Sequence, residues 1–288
     1  MSGDGRKTKW HRVKSPKPML LQQRDQDIVV SVYEFGFLSR QQIQRLFTFN
    51  CITRANIRLR KLFDHGYLSR RFLPTTRGAS PTLYFLGPRG VNLVSERTGT
   101  NPLEIKNRQK KSFERKDMFL DHDLLLNDVR IAFYRALANR PGVKLDRWIS
   151  SSDCLHEWTM SDPGSNREGT MVLRPDGYFR YFCEGRLFGC FLEVDRSTMS
   201  NGRFQSKVRL YLNYARSGLS SERYGLHFFR VLVVTETRER LLNLKSVTEQ
   251  LTDKMFWFSV TNDLTSGNIF DAIWERPGKK GVFSILEA

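Results

Sequence analysis

Arg174-Pro175-Asp176-Gly177 and Phe191-Leu192-Glu193-Val194-Asp195 bracket what reads as one hairpin. The Pro-Asp-Gly turn delivers a carboxylate to the edge of an aromatic strand containing Tyr178, Phe179, Tyr181 and Phe182. Seventeen residues after Asp176, a hydrophobic strand carries Glu193 and Asp195. Side chains two apart in a strand share a face, so these two acids project together while Leu192 and Val194 face the other way. Pairing across the Glu184-Gly185-Arg186 turn would bring Asp176 alongside them. Three carboxylates on one sheet face repel unless a divalent cation neutralises them, and such oxygen clusters suit Mg²⁺ or Mn²⁺. That is the layout of a metal-dependent phosphodiester-cleaving centre. A solvated acidic face on an ordinary hairpin would leave the same trace, and these residues alone leave both readings open.

The flanking pattern supplies a fold. A helix is expected over 117–139 and a strand near 144–150, followed by the two acid-bearing strands. A helix over 202–217, a strand over 228–235, a helix over 238–251 and a strand over 255–261 complete the half. The order α-β-β-β-α-β, with acids on the second and third strands, is that of a restriction-endonuclease-like (PD-(D/E)XK) domain in an α+β or α/β chain. Phe229-Arg230-Val231-Leu232-Val233-Val234 is apolar on both faces, as a central strand covered by helices should be.

The first half has another character. Ile28, Val29, Val32 and Tyr33 make a helical stripe that Gly36 ends, and Ser39 with Gln42 opens a second helix through Ile43, Leu46 and Phe47. Thr53 is the expected cap of a third, with Ala55, Leu59, Leu62 and Phe63 inward and Gly66 beyond its end. Arg54, Arg58 and Lys61 fall on a different face of that helix, and Arg60 lies between them. Two strands follow, 67–72 with Arg70 and Arg71 and 82–86, around a 74–81 loop carrying Arg77. This is a winged helix-turn-helix layout, the third helix entering the major groove and the wing tracking the backbone. The expected domains are a basic disordered arm (1–18), a winged helix-turn-helix domain (19–98), a basic linker (99–116), for which a solvated basic helix is the competing reading, and the nuclease-like domain (117–288).

Charge separates the halves. The chain has 288 residues and a net charge of +17. Residues 1–116 hold 24 Lys and Arg against 8 Asp and Glu, while residues 117–288 hold 23 against 22. Phosphate backbones are the natural counter-surface for the first half, and their binding should weaken steeply with salt. The 40% apolar content excludes a wholly disordered chain. Four scattered Cys without a Cys-x-x-Cys pair argue against a zinc site or a disulfide framework. No apolar run is long enough for a membrane span, so a cytoplasmic protein is expected.

With both halves in view the chain resembles the replication-relaxation family of plasmids and other mobile elements. That family is related to mobilisation relaxases joining a winged helix to a PD-(D/E)XK-like domain. The matching segments are Phe37-Leu38-Ser39-Arg40-Gln41-Gln42-Ile43, Arg58-Leu59-Arg60-Lys61-Leu62-Phe63-Asp64-His65-Gly66-Tyr67-Leu68 and Tyr84-Phe85-Leu86-Gly87. They continue through His122-Asp123-Leu124, Asn127-Asp128, Arg174-Pro175-Asp176-Gly177, Glu193-Val194-Asp195-Arg196-Ser197-Thr198 and Lys207-Val208-Arg209-Leu210-Tyr211. The resemblance implies Asp176 and Glu193 as metal ligands, with Asp195 a possible third. The motif's usual lysine, two residues after the glutamate, is replaced by Asp195. Lys207, twelve residues beyond that position on the next helix, would supply the displaced ammonium. A surface lysine on an amphipathic helix with Phe204, Val208, Tyr211 and Ala215 inward is the competing reading.

Three other residues carry two readings each. His122 shares a helix face with Met118, Leu125, Val129, Ala132 and Phe133, as a core histidine or as a catalytic group beside the metal. Tyr211 is either core packing or a nucleophile forming a phosphotyrosyl link. Arg196 would meet a phosphate or pair with Asp195. The expected activity is nicking of duplex DNA at an origin-like site, in replication or mobilisation, leaving single-stranded DNA as a further ligand. A homodimer or a larger replication or mobilisation complex would be the assembly. The alternative is a non-catalytic DNA-binding accessory with a degenerate nuclease-like domain. An RNA-directed role lacks the aromatic stacking motif it would need.

Overall fold

The computed structural model describes residues 10–74, 81–161 and 168–287. The chain divides into two units, residues 1–127 and 128–288.

The first unit opens with α1 (Gln23–Glu34), which buries Ile28, Val29, Val32 and Tyr33. Gly36, at φ +79°, takes the left-handed conformation that turns the chain out of the helix. Then come β1 (Leu38–Ser39), α2 (Arg40–Leu46), α3 (Ile52–Asp64), β2 (Leu68–Phe72) and β3 (Thr82–Leu86). Ser39 and Gln42 form the reciprocal capping box of α2. The cap of α3 is Cys51 and not Thr53. Cys51 has the extended backbone and its Sγ accepts the Arg54 amide, which places Thr53 inside the first turn. The three strands make an antiparallel sheet with β3 in the centre, pairing Leu38 with Tyr84 and Leu68 with Leu86. α4 (Pro88–Thr98) packs on α1.

The basic segment 99–116 contains a helix, α5 (Pro102–Phe113), capped by Asn101, in line with the competing helical reading. It buries Ile105 and Gln109, and the Gln109 amide accepts from the Leu86 N–H (2.9 Å) and donates to the Gly36 carbonyl (3.1 Å). Two inward residues are too few to show a period against so many lysines. Residues 10–17, expected within a disordered arm, lie against α3 and β2. Arg12 donates to the carbonyls of Phe63 (2.8 Å) and Leu68 (3.1 Å), and the Val13 amide donates to Asp64 (3.1 Å). The guanidinium thus bridges the end of α3 and the start of β2, where a cation also suits the C-terminal end of the helix. Arg6, Lys7 and Lys9 of the arm, and Arg77 of the wing, lie outside the described residues.

Arg58 is likewise an internal tie. Asp25, in the first turn of α1, is fully buried, and Arg58 meets both of its carboxylate oxygens. Arg58→Ala would strand a buried carboxylate and is expected to destabilise the chain by about 3 kcal/mol. Urea unfolding checks this, with Arg54→Ala on the exposed face leaving the midpoint unchanged.

α6 (Asp117–Ala138) contains the division between the units. Among the described residues no helix is long and apolar enough to cross a membrane. β4 (Val143–Ser150), β5 (His156–Ser161), β6 (Glu168–Leu173), β7 (Gly177–Cys183) and β8 (Arg186–Asp195) follow. The remainder is α7 (Asn201–Arg216), α8 (Leu219–Tyr224), β9 (Arg230–Thr235), α9 (Arg238–Glu249), β10 (Phe256–Val260) and α10 (Thr261–Ser266). Five strands form a mixed sheet in the order β10-β9-β8-β7-β4, antiparallel through β4, β7 and β8 and parallel from β8 to β10. The chain is therefore a mixed α+β protein.

The sheet is covered on two sides. Phe133 of α6 packs on Phe179 and Tyr181 (ring centroids 4.6 and 6.0 Å apart). On the other face Phe204 and Tyr211 of α7 and Leu241 and Leu244 of α9 share a core with Phe191, Val231 and Val233. β5 and β6 pair as a separate two-stranded hairpin ahead of the Pro-Asp-Gly turn, a feature the sequence pattern leaves unassigned.

Candidate active site

β7 and β8 pair antiparallel with Tyr178 opposite Phe191 and Gly177 opposite Leu192, so Asp176 stands one step further on, level with Glu193. The Asp176 amide donates to the Leu192 carbonyl (3.0 Å), and its carboxylate accepts the Val194 amide (2.8 Å). The turn is thus stapled to β8, and the aspartate is fixed at the sheet edge.

Glu193 and Asp195 sit on the central strand with 4% and 5% of their surface exposed, so each needs a partner. Each finds a different one. Lys207 of α7 forms an ion pair with Glu193 Oε2, and the Tyr211 hydroxyl donates to Glu193 Oε1 (2.5 Å). Asp195 is instead gripped by Arg240 of α9, Nε to Oδ1 at 2.8 Å and Nη2 to Oδ2 at 3.1 Å. Arg240 also donates to Asn201 Oδ1 (2.8 Å) and to the Met199 carbonyl, while Asp195 accepts the Ser197 amide (2.7 Å).

The electrostatics follow from the burial. Desolvation lifts the Glu193 carboxyl to about 7; Lys207 opposes the rise, and the Asp176 charge adds to it. Burial by itself would lower the Lys207 ammonium, but Glu193, then Asp176 and Asp195, outweigh it and the net direction is upward. Burial also pushes the Tyr211 phenol well above its ordinary value, so it stays a proton donor. The centre is a cation flanked by carboxylates and bordered by a neutral phenol. Such a set can hold an oxyanion on the ammonium and a hard cation on the acids.

The expected residues sort accordingly. Asp176, Glu193 and Lys207 come together. Asp195 shares their sheet face, yet its carboxylate belongs to Arg240, because a buried acid on a central strand takes the nearest guanidinium. Tyr211 is core, 1% exposed among Phe191, Phe229 and Phe256, with its proton aimed at Glu193. Tyr214 takes the inward position expected of Ala215. His122 belongs to the first unit and is half-buried, whereas this centre is built wholly from the second. Met118, expected inward with His122, is 69% exposed. Arg196 pairs with Glu236 (3.6 Å). Arg240, forty-five residues from its partner, has no local signal in the sequence. His156 is a second residue the pattern leaves unmarked. It is buried against Tyr224 (3.1 Å) and Cys154 (3.8 Å), and desolvation, then Arg223, lowers it to about 4.

The basic residues of the first unit divide likewise. Arg54 and Lys61 are exposed on α3. Arg60 is tied to Asp64 (2.8 Å), and Arg71 of β2 to Asp117 and the Arg115 carbonyl (2.8 Å). Arg70 lies over the rings of Phe63 (4.4 Å) and Tyr84 (5.4 Å).

Comparison with known proteins gives one family: a family model described as replication-relaxation matches residues 30–229. No curated protein matches the chain. Among solved structures, restriction endonuclease FokI aligns at 13% identity and a TM-score of 0.30, over 84% of this chain and 43% of that one. The chain spans less than half the length of that structure.

Proposed function

We propose, from the premise that the chain belongs to the replication-relaxation family, that it binds duplex DNA and nicks one strand at an origin-like site of a plasmid or other mobile element. The first unit, read as a winged helix and carrying the excess of Lys and Arg, would hold the duplex. The second unit would act as a PD-(D/E)XK-like nicking domain. The observation that carries this reading is the Lys207 ammonium seated on Glu193, level with Asp176 on the paired strands. It supplies the cation missing from the position of Asp195.

Asp176 and Glu193 fit a Mg²⁺ or Mn²⁺ ion, since both are hard oxygen donors and such ions are commonly held by one or two carboxylates and substrate phosphate. Among the described residues no group of three His, Cys, Asp or Glu is placed to hold a metal, so Asp195, held by Arg240, is not counted as a third ligand. When bound, the ion would polarise the scissile phosphate and lower the pKa of an attacking water. Lys207 would hold a non-bridging phosphate oxygen as negative charge accumulates. The Tyr211 proton keeps Glu193 Oε1 in place, and Arg240 holds the end of β8 and the start of α7 around the centre.

The test is supercoiled plasmid carrying the cognate origin, with calorimetric titration of Mn²⁺ alongside. Asp176→Asn should lower Mn²⁺ affinity on the order of tenfold or more and slow nicking; unchanged nicking would sink the assignment. A non-catalytic accessory role draws support from Glu193, both of whose oxygens are already engaged. Tight origin binding by a wild-type protein that takes up no Mn²⁺ would favour that reading.

A further inference from the structure

Between α2, α3, β2 and β3 the first unit has a cleft of about 590 Å³, lined by Arg40, Gln41, Asn56, Arg60, Arg70 and Tyr84 among others. No acidic residue lines it among the described residues. Arg60 is held by Nε on Asp64 (2.8 Å) and by Nη2 on the His11 carbonyl (3.0 Å), which fixes its guanidinium in the wall. Arg70 is steadied by its two ring contacts, and its buried Nε has no hydrogen-bond partner among the described residues. Burial holds Arg70 below its ordinary value and the Arg60 charge adds to that, while Tyr84 and Asp64 oppose it. Arg70, Arg40 and Arg60 all act on the Tyr84 hydroxyl against the upward push of its burial, so the three cations surround one wall. Phe72 of the lining is packed from outside by Trp10, with ring centroids 4.3 Å apart.

We propose that this cleft is a phosphate seat, with Arg40 and Arg70 as its cations and Gln41 and Asn56 as neutral donors. A guanidinium fork matches the spacing of phosphate oxygens, and a phosphate would relieve the repulsion between the arginines and supply the acceptor that Arg70 Nε lacks. The phosphate comes from the backbone of bound DNA or from a free phosphorylated molecule; the first source rests on the DNA-binding reading above.

The experiment uses the full chain as wild type, Arg40→Gln and Asn56→Asp. Anisotropy of a labelled duplex of about 25 base pairs is followed across a salt series, and inorganic pyrophosphate is titrated by calorimetry. Asn56 is exposed, so Asn56→Asp keeps shape and fold while placing a carboxylate in the seat. With DNA as the source, Arg40→Gln should lower the slope of log K against log salt by about 0.9 and weaken binding about three- to tenfold. Asn56→Asp should weaken it similarly. Pyrophosphate binding lost in both variants, with the DNA slope unchanged, would assign the seat to a free phosphorylated molecule. Wild-type DNA binding that neither variant alters, with no variant-sensitive pyrophosphate uptake, overturns the seat and leaves DNA binding intact. A wild type that takes up pyrophosphate in a variant-sensitive way but binds no duplex overturns the DNA-binding reading and keeps the seat.

Discussion

Lys207→Met should slow strand nicking by about a hundred- to a thousandfold, the effect of removing one preorganised donor from a site where charge develops. Met keeps the length of the side chain and the packing of its stem, so the loss reports the ammonium. Two consequences add up. The scissile phosphate loses its protein cation, and Glu193 loses the group that most opposes its rise. Glu193 already lies at about 7 through burial and would climb further. At neutral pH it would hold a proton and become a poor ligand. At subsaturating Mn²⁺, where proton and metal compete for Glu193, the wild-type rate should therefore rise as pH approaches about 7, and the residual rate of the variant should rise only at higher pH. A pH series of plasmid nicking checks both, and a Lys207→Met enzyme with the wild-type rate and profile would remove Lys207 from the centre.

The same burial sets a stability trend in metal-free protein. The folded carboxyl of Glu193 lies above its ordinary value of 4.5, so folding favours its protonated form. That contribution is complete below about 4.5 and is lost as pH rises through about 7. Thermal stability should fall across this window in the wild type and stay flatter in Glu193→Gln.

Arg240→Ala carries the second large effect, here on folding. The guanidinium is 11% exposed and holds a carboxylate that is 5% exposed. Removing it leaves Asp195 charged, buried and without its cation, a loss of about 3–5 kcal/mol. In a unit of this size that corresponds to a fall in Tm of about 10 °C. The Met199 carbonyl and Asn201 lose their donor as well, so the connection from β8 into α7 loosens. Adding Asp195→Asn removes the stranded charge and should restore much of the stability, which a scan of both single variants and the double variant measures. If Arg240→Ala melts with the wild type, the clamp is not holding the strand.

The local devices are readable along the chain because their physics is local. Ser39 and Gln42 cap α2, Gly36 and Gly66 turn the chain at positive φ, and the Pro-Asp-Gly turn precedes an aromatic strand. Long-range compensation is not readable in this way. Arg58, on a face that periodicity assigns to solvent, answers a buried acid in α1, and Arg71 answers groups at the end of α5 and the start of α6. α5 stood as one of two readings of its segment, because only Ile105 and Gln109 turn inward among its charges.

By itself the sequence determined most of the elements of both halves, the β5–β6 hairpin excepted, the imbalance of charge between them, and the two strands that bring Asp176 level with Glu193, since turns, periodicity and the two-residue alternation of a strand act over a few residues. Only the tertiary structure decided which cation each buried acid receives. Glu193 takes Lys207 from the helix laid across β8, and Asp195 takes Arg240 from a helix forty-five residues away. Burial makes a partner obligatory for each carboxylate, but the crossover packing of α7 and α9 chooses it.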